Sequence, residues 1–238
     1  MKKAIFAWSG GKDSSLALHK IQQEGEFEIL GLMTTLNKNV KRISMHGIKE
    51  ELLDEQAASI GIPLIKMWVK EGTNTEYEKN MENILLEYKE KGITHVIFGD
   101  IFLEDLKDYR NKNLSKVGLE GHYPLWKEDT SNLVKEFLNS GFKTVTCCIS
   151  DRFLNKSHVG ETITNKWLEN LPKQVDPCGE NGEFHTFCYN GPIFKRPIEF
   201  SIGEKIYKAL DDKYINLDES PSTTGFWFCE FSSIRKNS

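Results

Sequence analysis

The sequence predicts an α/β protein, with a parallel, Rossmann-like β-sheet covered by helices on both faces and a smaller C-terminal α+β portion. A buried apolar run at 3–8 ends abruptly at Ser9-Gly10-Gly11, and apolar runs then alternate with helical patterns as far as residue 150. Past that point short β-like segments follow a loop rich in proline and glycine. Strands that alternate with helices are typical of a parallel sheet. We expect two parts, a main α/β domain at 1–150 and a smaller α+β portion at 151–238.

The elements of the first part follow from the spacing of apolar residues. Runs of strand length occur at 3–8, 27–35, 62–68, 94–98 and 143–149. Apolar residues recur at helical spacing in 14–24, 48–60, 77–88 and 133–138. Ligands of such sheets bind outside the carboxyl ends of the strands. The turn after the first strand and Gly99-Asp100 after the fourth are therefore candidate site positions.

The second part has a different pattern. A helix is predicted from about Gly160 to Asn170, followed by the loop 176–182. Short β-like segments are predicted at 184–189, 198–202 and 226–231. We expect this smaller α+β portion to pack on the first part.

Composition limits the class of protein. The chain has 238 residues, 39% hydrophobic and 28% charged, as expected for a globular protein. A net charge of −4 without a dense Lys/Arg tract argues against a broad nucleic-acid surface. The first apolar run is too short for a targeting segment, and no run approaches the roughly 20 apolar residues that span a bilayer. We expect a cytoplasmic protein with no membrane or nucleic-acid partner.

The five cysteines contain no CxxC pair and give an odd count. This is a poor framework for disulfides or for a zinc site. We expect reduced thiols packed in strands, and nothing in the spacing supports a catalytic sulfur carrier.

The segment between the first strand and the first helix carries the chemistry. Adjacent Gly10 and Gly11 let the backbone turn tightly and approach a ligand. The helix that follows points its free N–H groups and its positive end at that turn. Ser9 and Ser14 add hydroxyls and Lys12 adds a cation. These features together favour a polyphosphate.

The segment differs from the usual nucleoside-triphosphate loop. Phe6 stands where that loop needs a glycine, and Asp13 follows Lys12 in place of Ser or Thr. A carboxylate beside phosphate suits a bound divalent cation, which bridges phosphate oxygens. Asp13 is therefore the candidate Mg²⁺ ligand.

Ser9-Gly10-Gly11-Lys12-Asp13-Ser14 after a strand resembles the signature of the PP-loop ATPases, or N-type ATP pyrophosphatases. The resemblance implies that all six residues, together with Gly99, bind ATP with Mg²⁺. It also implies that ATP is cleaved to AMP and pyrophosphate while a substrate oxygen is adenylated.

Later segments are similar to the diphthine–ammonia ligase family, across about residues 1–200. They are Gly99-Asp100-Ile101, Arg110, Gly118-Leu119, Pro124-Leu125-Trp126 and the stretch 176–187, in which CGENGEFHTF is the most specific part. Asn113 departs from the pattern, because a cysteine is expected near it in many relatives. The resemblance implies an amide-forming ligase that uses ATP and ammonia, with elongation factor 2 as a protein substrate.

The resemblance also assigns roles to residues outside the phosphate loop. It implies catalytic roles for Asp13, Asp100, Glu183 and His185, and substrate-side positions for His46, Arg110 and Glu180. Each has a structural alternative. Asn181-Gly182 is a hairpin-turn signal, Asp100 can cap a helix, Arg110 can lie on a solvated helix face, and a single histidine is often structural.

Other functions stay open. Trp126, Tyr123 and Phe184 could pack on a trimethylammonium group, although core aromatics are the simpler interpretation. A tRNA-modifying PP-loop enzyme would need a basic appendage or paired cysteines. A nucleotide sensor without turnover would share the ATP site, and an assay for AMP and pyrophosphate separates it from an enzyme.

Overall fold

The computed structural model describes residues 1–43, 46–70, 74–216 and 221–234. Its helices are α1 (Lys12–Glu24), α2 (Glu50–Ile60), α3 (Asn74–Glu90), α4 (Glu104–Lys116), α5 (Thr130–Asn139) and α6 (Asn165–Glu169). Its strands are β1 (Lys2–Ala7), β2 (Phe27–Asn37), β3 (Leu64–Val69), β4 (His95–Ile97), β5 (Glu120–His122), β6 (Lys143–Ser150), β7 (Phe184–Asn190), β8 (Phe200–Ala209) and β9 (Gly225–Ser233). They form two sheets.

The first sheet is parallel throughout, with strand order β3-β2-β1-β4-β5. Phe6 in the central strand β1 lies opposite Leu32 of β2 and Ile97 of β4. The chain adds β2 and β3 on one side of β1 and then crosses to the other side for β4. The order therefore reverses at the carboxyl end of β1, where open α/β sheets bind their ligands.

Helices cover both faces of this sheet, as predicted. Alternate residues of β1 enter two separate cores, because side chains along a strand point to opposite faces. Phe6 packs in one core with apolar residues of α1, α2 and α5. Ile5 packs in the other with Leu85 of α3 and Leu114 of α4.

The second sheet is antiparallel, with strand order β7-β6-β9-β8. The strand predicted at 143–149 belongs here, as β6, and not with the parallel strands that precede it in the sequence. Its residues Val145 and Ile149 share the core of α1 and α2. Because one core spans both sheets, the domain boundary at 150 stays a prediction.

One helix is shorter than predicted, and two elements of the structure have no counterpart among the predicted ones. The helix predicted from Gly160 covers only Asn165–Glu169, since Thr162 instead forms a bridge with Val145 of β6. α4 and β5 were not predicted. α4 buries only Leu114 and has no apolar stripe to reveal it. β5 has three residues.

Among the described residues, no helix has the length and apolar character needed to cross a membrane.

Candidate active site

A cavity of about 1070 Å³ opens at the carboxyl ends of β1, β2 and β4. Its walls come from both parts of the chain. The loop after β1 and the turn after β4 meet the segment 178–186, which leads into β7. The fold thus brings together the two positions that the sequence singled out and the loop from the second part.

The loop after β1 is fixed by contacts on its inner side. Gly10 has φ +76°, and a Cβ atom there would lie 2.7 Å from Oε1 of Gln56. The carbonyl oxygen of Gly10 accepts hydrogen bonds from Nε2 of Gln56 at 3.0 Å and from the amide of Cys188 at 2.8 Å. The indole of Trp8 donates to Oε1 of Gln56 at 3.0 Å. Fully buried Gln56 therefore holds the turn in shape.

The first turn of α1 is closely packed. The amide of Lys12 donates to Oγ1 of Thr186 at 2.9 Å. Ser14 and Ser15 donate their hydroxyls to the carbonyl of Gly11, at 3.0 and 2.8 Å. A Cβ atom on Gly99 would lie 3.1 Å from the amide nitrogen of Ser14. The end of β4 can therefore approach the start of α1 only because residue 99 is glycine.

Lys12 is buried and its ammonium group points to the loop from the second part. Nζ lies 2.8 and 2.7 Å from the two carboxylate oxygens of Asp13, and it also donates to the carbonyl of Cys178. Burial acts to lower the pKa of Lys12, but the charge and hydrogen bond of Asp13, together with the charges of Cys178 and Glu180, outweigh it and the net shift is upward. Lys12 is therefore charged at neutral pH and joins the loop after β1 to the segment near residue 178.

Three carboxylates stand around the cavity. Asp100 accepts a hydrogen bond from Nη1 of Arg110 at 2.5 Å, and Asp13 pairs with Lys12. Glu180 accepts from the amides of Ile101 at 2.8 Å and Phe102 at 3.4 Å, both through Oε1.

The three carboxylates disfavour one another's ionised forms. Burial raises the pKa of Asp13 and of Asp100, against the opposing charges of Lys12 and Arg110. Burial and the charges of Asp13 and Asp100 raise the pKa of Glu180 to about 7, although a backbone hydrogen bond from Ile101 opposes them. The cavity therefore holds a carboxylate that changes charge near neutral pH.

Glu183 is turned away from the cavity into its own loop. Oε1 accepts from the amide of Asp176 at 2.9 Å and from Nδ2 of Asn181 at 3.2 Å, and Oε2 accepts from the amide of Asn181 at 3.0 Å. These bonds close the loop between Asp176 and Glu183. Its catalytic role stays a prediction, since the contacts of its carboxylate in the structure are those that hold the loop together.

Two histidines meet beside Thr186. The rings of His46 and His185 have centroids 4.6 Å apart, and Nδ1 of His46 lies 3.3 Å from the carbonyl oxygen of Thr186. Burial lowers the pKa of His46 to about 4 and lowers that of His185 further below its usual range. Both imidazoles are therefore neutral at neutral pH. Nε2 of His185 is buried and has no hydrogen-bond partner among the described residues.

Most of the predicted site residues line this one cavity. They are Ser9, Lys12, Asp13, Ser14, His46, Gly99, Asp100, Arg110, Glu180 and His185. Gly10, Gly11 and Glu183 lie behind its wall and shape it. Ser44 and Met45, which precede His46, are outside the described residues.

The predicted aromatic group does not assemble. Tyr123 and Trp126 lie edge to face at 5.8 Å, and the ammonium of Lys107 sits 3.9 Å from the centre of the Trp126 ring. Phe184 instead packs against Trp167, with ring centroids 5.2 Å apart. Asn113, at which the chain departs from the family pattern, accepts a hydrogen bond from Nζ of Lys116 on the surface of α4.

Sequence reasoning missed two residues that hold the site together, Gln56 and Thr186. Gln56 is a buried polar residue on the apolar side of α2, a position that could have drawn attention to it. Thr186 stands between His185 and Phe187 in the most specific motif. The five cysteines are buried free thiols; four lie in strands, as predicted, whereas Cys178 lies in the loop before β7.

The donor atoms limit what metal can bind. Among the described residues, no group of three or more His, Cys, Asp or Glu side chains is arranged around a metal ion. A closed protein cage of the zinc kind is therefore not formed there. Mg²⁺ is commonly held by one or two carboxylates together with phosphate oxygens and water, and Asp13 at the cavity wall fits that kind of site.

Models of known protein families match both parts of the chain. A family model described as the diphthamide synthase N-terminal domain matches residues 1–121, and one described as the diphthamide synthase C-terminal domain matches residues 129–219. Proteins named diphthine–ammonia ligase are similar to the chain over most of its length. The mouse relative is 25% identical over 228 residues, which cover 85% of this chain and 84% of that protein.

The rat relative is 23% identical with the same coverage. The relative from Saccharomyces cerevisiae is 26% identical over 230 residues, which are 81% of this chain but 33% of that protein. The first family model alone covers half of the chain, and it contains the loop after β1 and the turn after β4. The chain belongs to the diphthamide synthase family.

Proposed function

We propose that this protein is an ATP-dependent ligase that adenylates a carboxylate, releases pyrophosphate and forms an amide with ammonia. The acceptor we propose is diphthine, which the names of its relatives specify, carried on elongation factor 2, as the family resemblance implies. The observation that supports the proposal is the cavity itself, where the loop after β1 and a polar loop from the second part face each other.

The loop after β1 suits the polyphosphate of ATP. The start of α1 presents backbone amides and a positive helix end to the cavity. The amide of Lys12 is already taken by Thr186, so the amides of Asp13 and Ser14 are the ones available for phosphate. The ammonium of Lys12 lies behind them and adds positive charge.

Asp13 is the residue that would hold Mg²⁺. A divalent cation at this carboxylate would neutralise charge on the leaving pyrophosphate. The protein itself orients Asp13 through the two contacts with Nζ of Lys12.

The side of the cavity at the end of β4 suits the acceptor. Arg110 is a cation on that wall, and Asp100 holds its guanidinium in place. Carboxylate recognition by a guanidinium favours a fixed orientation. Adenylation converts the acceptor carboxylate into a group that ammonia can attack, because AMP leaves far more readily than oxide. Aligning the acceptor oxygen with the α-phosphorus is the main task of the site.

The products of ATP cleavage test this proposal. The protein is incubated with ATP, magnesium chloride, ammonium chloride and elongation factor 2 that carries diphthine, and the nucleotides are separated by chromatography. We expect AMP and pyrophosphate in equal amounts and dependence on Mg²⁺. ADP and phosphate as the main products would contradict the proposal. ATP binding without turnover would favour the nucleotide sensor, and turnover only with tRNA would favour a tRNA-modifying enzyme.

A further inference from the structure

We propose that Glu180 is the base that takes a proton from the attacking nitrogen when the amide forms. This assignment rests on the proposed ligase function and gives one residue of that site a chemical role. It follows from the way in which the carboxylates and imidazoles around the cavity are already engaged.

The carboxylate of Glu180 is anchored at one oxygen and free at the other. Oε1 accepts the amides of Ile101 and Phe102, at 2.8 and 3.4 Å. Oε2 has no hydrogen-bond or ion-pair partner among the described residues, and the side chain lines the cavity. A fixed carboxylate with one free oxygen is the geometry that a general base needs.

The other two carboxylates at the wall are paired with cations. Asp13 is bonded to the ammonium of Lys12 through both oxygens. Asp100 is bonded to the guanidinium of Arg110 at 2.5 Å. Proton uptake by either one would break an ion pair in a partly enclosed site, which costs free energy.

Glu183, His185 and His46 are poorer candidates for the base. Geometry disfavours Glu183 and His185, and a lowered pKa disfavours His46. Both carboxylate oxygens of Glu183 accept N–H groups of its own loop. Nε2 of His185 is enclosed by protein. Burial lowers the pKa of His46 to about 4, which leaves it a weak base at neutral pH. Glu180 is the remaining group at the wall that can accept a proton.

The charges around Glu180 fit this role. Burial, together with Asp13 from α1 and Asp100 from the turn after β4, raises its pKa to about 7, while the Ile101 amide and the charge of Lys12 act in the opposite direction. Asp176 of its own loop accepts the amide of Glu180 at 3.2 Å. A base whose pKa lies near the working pH is partly ionised and still basic enough to take a proton.

The proposed step is balanced. The nitrogen lone pair of ammonia forms a bond to the carbonyl carbon of the acyl adenylate. The bond from that carbon to the phosphate oxygen breaks, and AMP leaves with the electron pair. The nitrogen then carries one proton too many, and Oε2 of Glu180 accepts it. The products are the carboxamide, AMP and a protonated Glu180, which returns its proton to water.

The test is the variant Glu180→Gln, which keeps an oxygen acceptor for Ile101 and cannot take the proton. The substrate in this assay is elongation factor 2 that carries diphthine. We expect amide formation in a single turnover with ammonia to slow about 100-fold or more. Exchange of labelled pyrophosphate into ATP, which reports adenylation alone, should stay within about threefold of the parent protein. Hydroxylamine, a stronger nucleophile that is unprotonated at neutral pH, should restore much of the lost rate.

The pH profile gives a readout that a structural defect would not change. The ammonia-dependent step of the parent protein should gain rate as pH rises through about 7, the value for Glu180. This inflection should be absent in Glu180→Gln and present, at a shifted pH, in Glu180→Asp. Glu128→Gln, on the exposed surface, is the matched control and should leave both steps unchanged. If Glu180→Gln does not fold, the profile of Glu180→Asp decides.

Three outcomes would overturn the assignment. One is normal amide formation by Glu180→Gln, another is an equal loss of pyrophosphate exchange, and the third is an unchanged pH profile. Absence of pyrophosphate exchange in the parent protein would instead remove the proposed ligase function, so the two failures are distinguishable.

Discussion

Lys12 donates a hydrogen bond from Nζ to the carbonyl oxygen of Cys178, a residue 166 positions further along the chain. The same ammonium pairs with Asp13. The sequence indicated that Lys12 contacts phosphate directly. In the structure it is 2% exposed and ties the loop after β1 to the loop before β7. The two halves of the proposed reaction are therefore mechanically connected through one side chain.

Asp13→Asn tests the role of the carboxylate at the start of α1. We expect turnover to fall about 30- to 1,000-fold, equivalent to about 2–4 kcal/mol of lost transition-state stabilisation. The thermal unfolding midpoint should also fall, because the amide leaves the buried ammonium of Lys12 without its ion pair. Steady-state rates at several magnesium concentrations, with calorimetric melting as the control, measure both effects. Near-normal activity would show that the carboxylate is not needed for the reaction.

The neighbouring rings of His46 and His185 predict how stability depends on pH. Burial lowers the pKa of His46 to about 4 and lowers that of His185 well below its usual range, so the folded protein resists protonation. The unfolded chain takes up these protons below the ordinary value of about 6.5. The contribution of the pair to stability is full above that pH and declines from about 6.5 towards 4, by at most about 1.4 kcal/mol per pH unit for each ring.

Chemical denaturation between pH 4 and 8 measures this effect. The double variant His46→Asn/His185→Asn should show a shallower loss of unfolding free energy over that range than the parent protein. His158→Asn, which lies outside the cavity lining, is the control and should keep the steeper loss. Carboxylates titrate in both proteins, so the difference between the curves carries the information. Parallel curves would mean that the two rings take up protons as readily in the folded state as in the unfolded chain.

Thr186→Val tests the contact that caps α1 from the second sheet. The hydroxyl accepts the amide of Lys12 at 2.9 Å, and valine keeps its shape without the acceptor. We expect a loss of about 0.5–2 kcal/mol in unfolding free energy, the usual value of a lost helix cap, together with weaker ATP binding. Thr144→Val, a buried threonine of β6 that bonds Phe187, should lose stability without losing ATP affinity. Equal ATP affinity in both variants would show that Thr186 only supports the fold.

The parallel sheet was predictable because strand and helix patterns alternate and each helix of the first core has an apolar stripe. Phe6 and the glycines after it located the central strand and the site at its end. β6 could not be assigned to the right sheet, since an apolar run such as 143–149 has the same pattern in either one. α4 was missed because its only buried residue is Leu114.

The candidate site was predictable where a local motif carried it and not where tertiary contacts do. Ser9 to Ser14 follow a strand and begin a helix, so the local sequence pattern is enough to predict that they bind a ligand. The contact of Thr186 with Lys12 joins residues 174 positions apart, and no local pattern encodes it. The ionisation of Glu180 depends in the same way on Asp13 and Asp100, which reach it only through the fold.

The last prediction separates ATP binding from amide formation. His185→Ala and Glu183→Gln should keep ATP affinity within about threefold, because neither side chain belongs to the loop after β1, and should lose most of the ligation activity. In Glu183→Gln an NH₂ group would face the N–H groups of Asp176 or Asn181, which disturbs the loop that carries Glu180. The double variant Ser9→Ala/Lys12→Ala should weaken ATP binding at least about tenfold, since it removes positive charge from the start of α1.

Calorimetry with a non-hydrolysable ATP analogue, paired with the ligation assay, measures this division, and Glu128→Gln is the surface control. Circular dichroism establishes that each variant is folded. ATP binding and amide formation cannot be separated completely in the variant that lacks Lys12. Loss of Lys12 also removes its hydrogen bond to the Cys178 carbonyl, which holds the loop before β7. The Ser9→Ala/Lys12→Ala variant should therefore lose ligation as well, even at saturating ATP. Loss of ATP affinity in a folded His185→Ala as large as in that variant would show that the two loops act as one nucleotide site. Unchanged ligation in His185→Ala and Glu183→Gln would return both residues to a structural role.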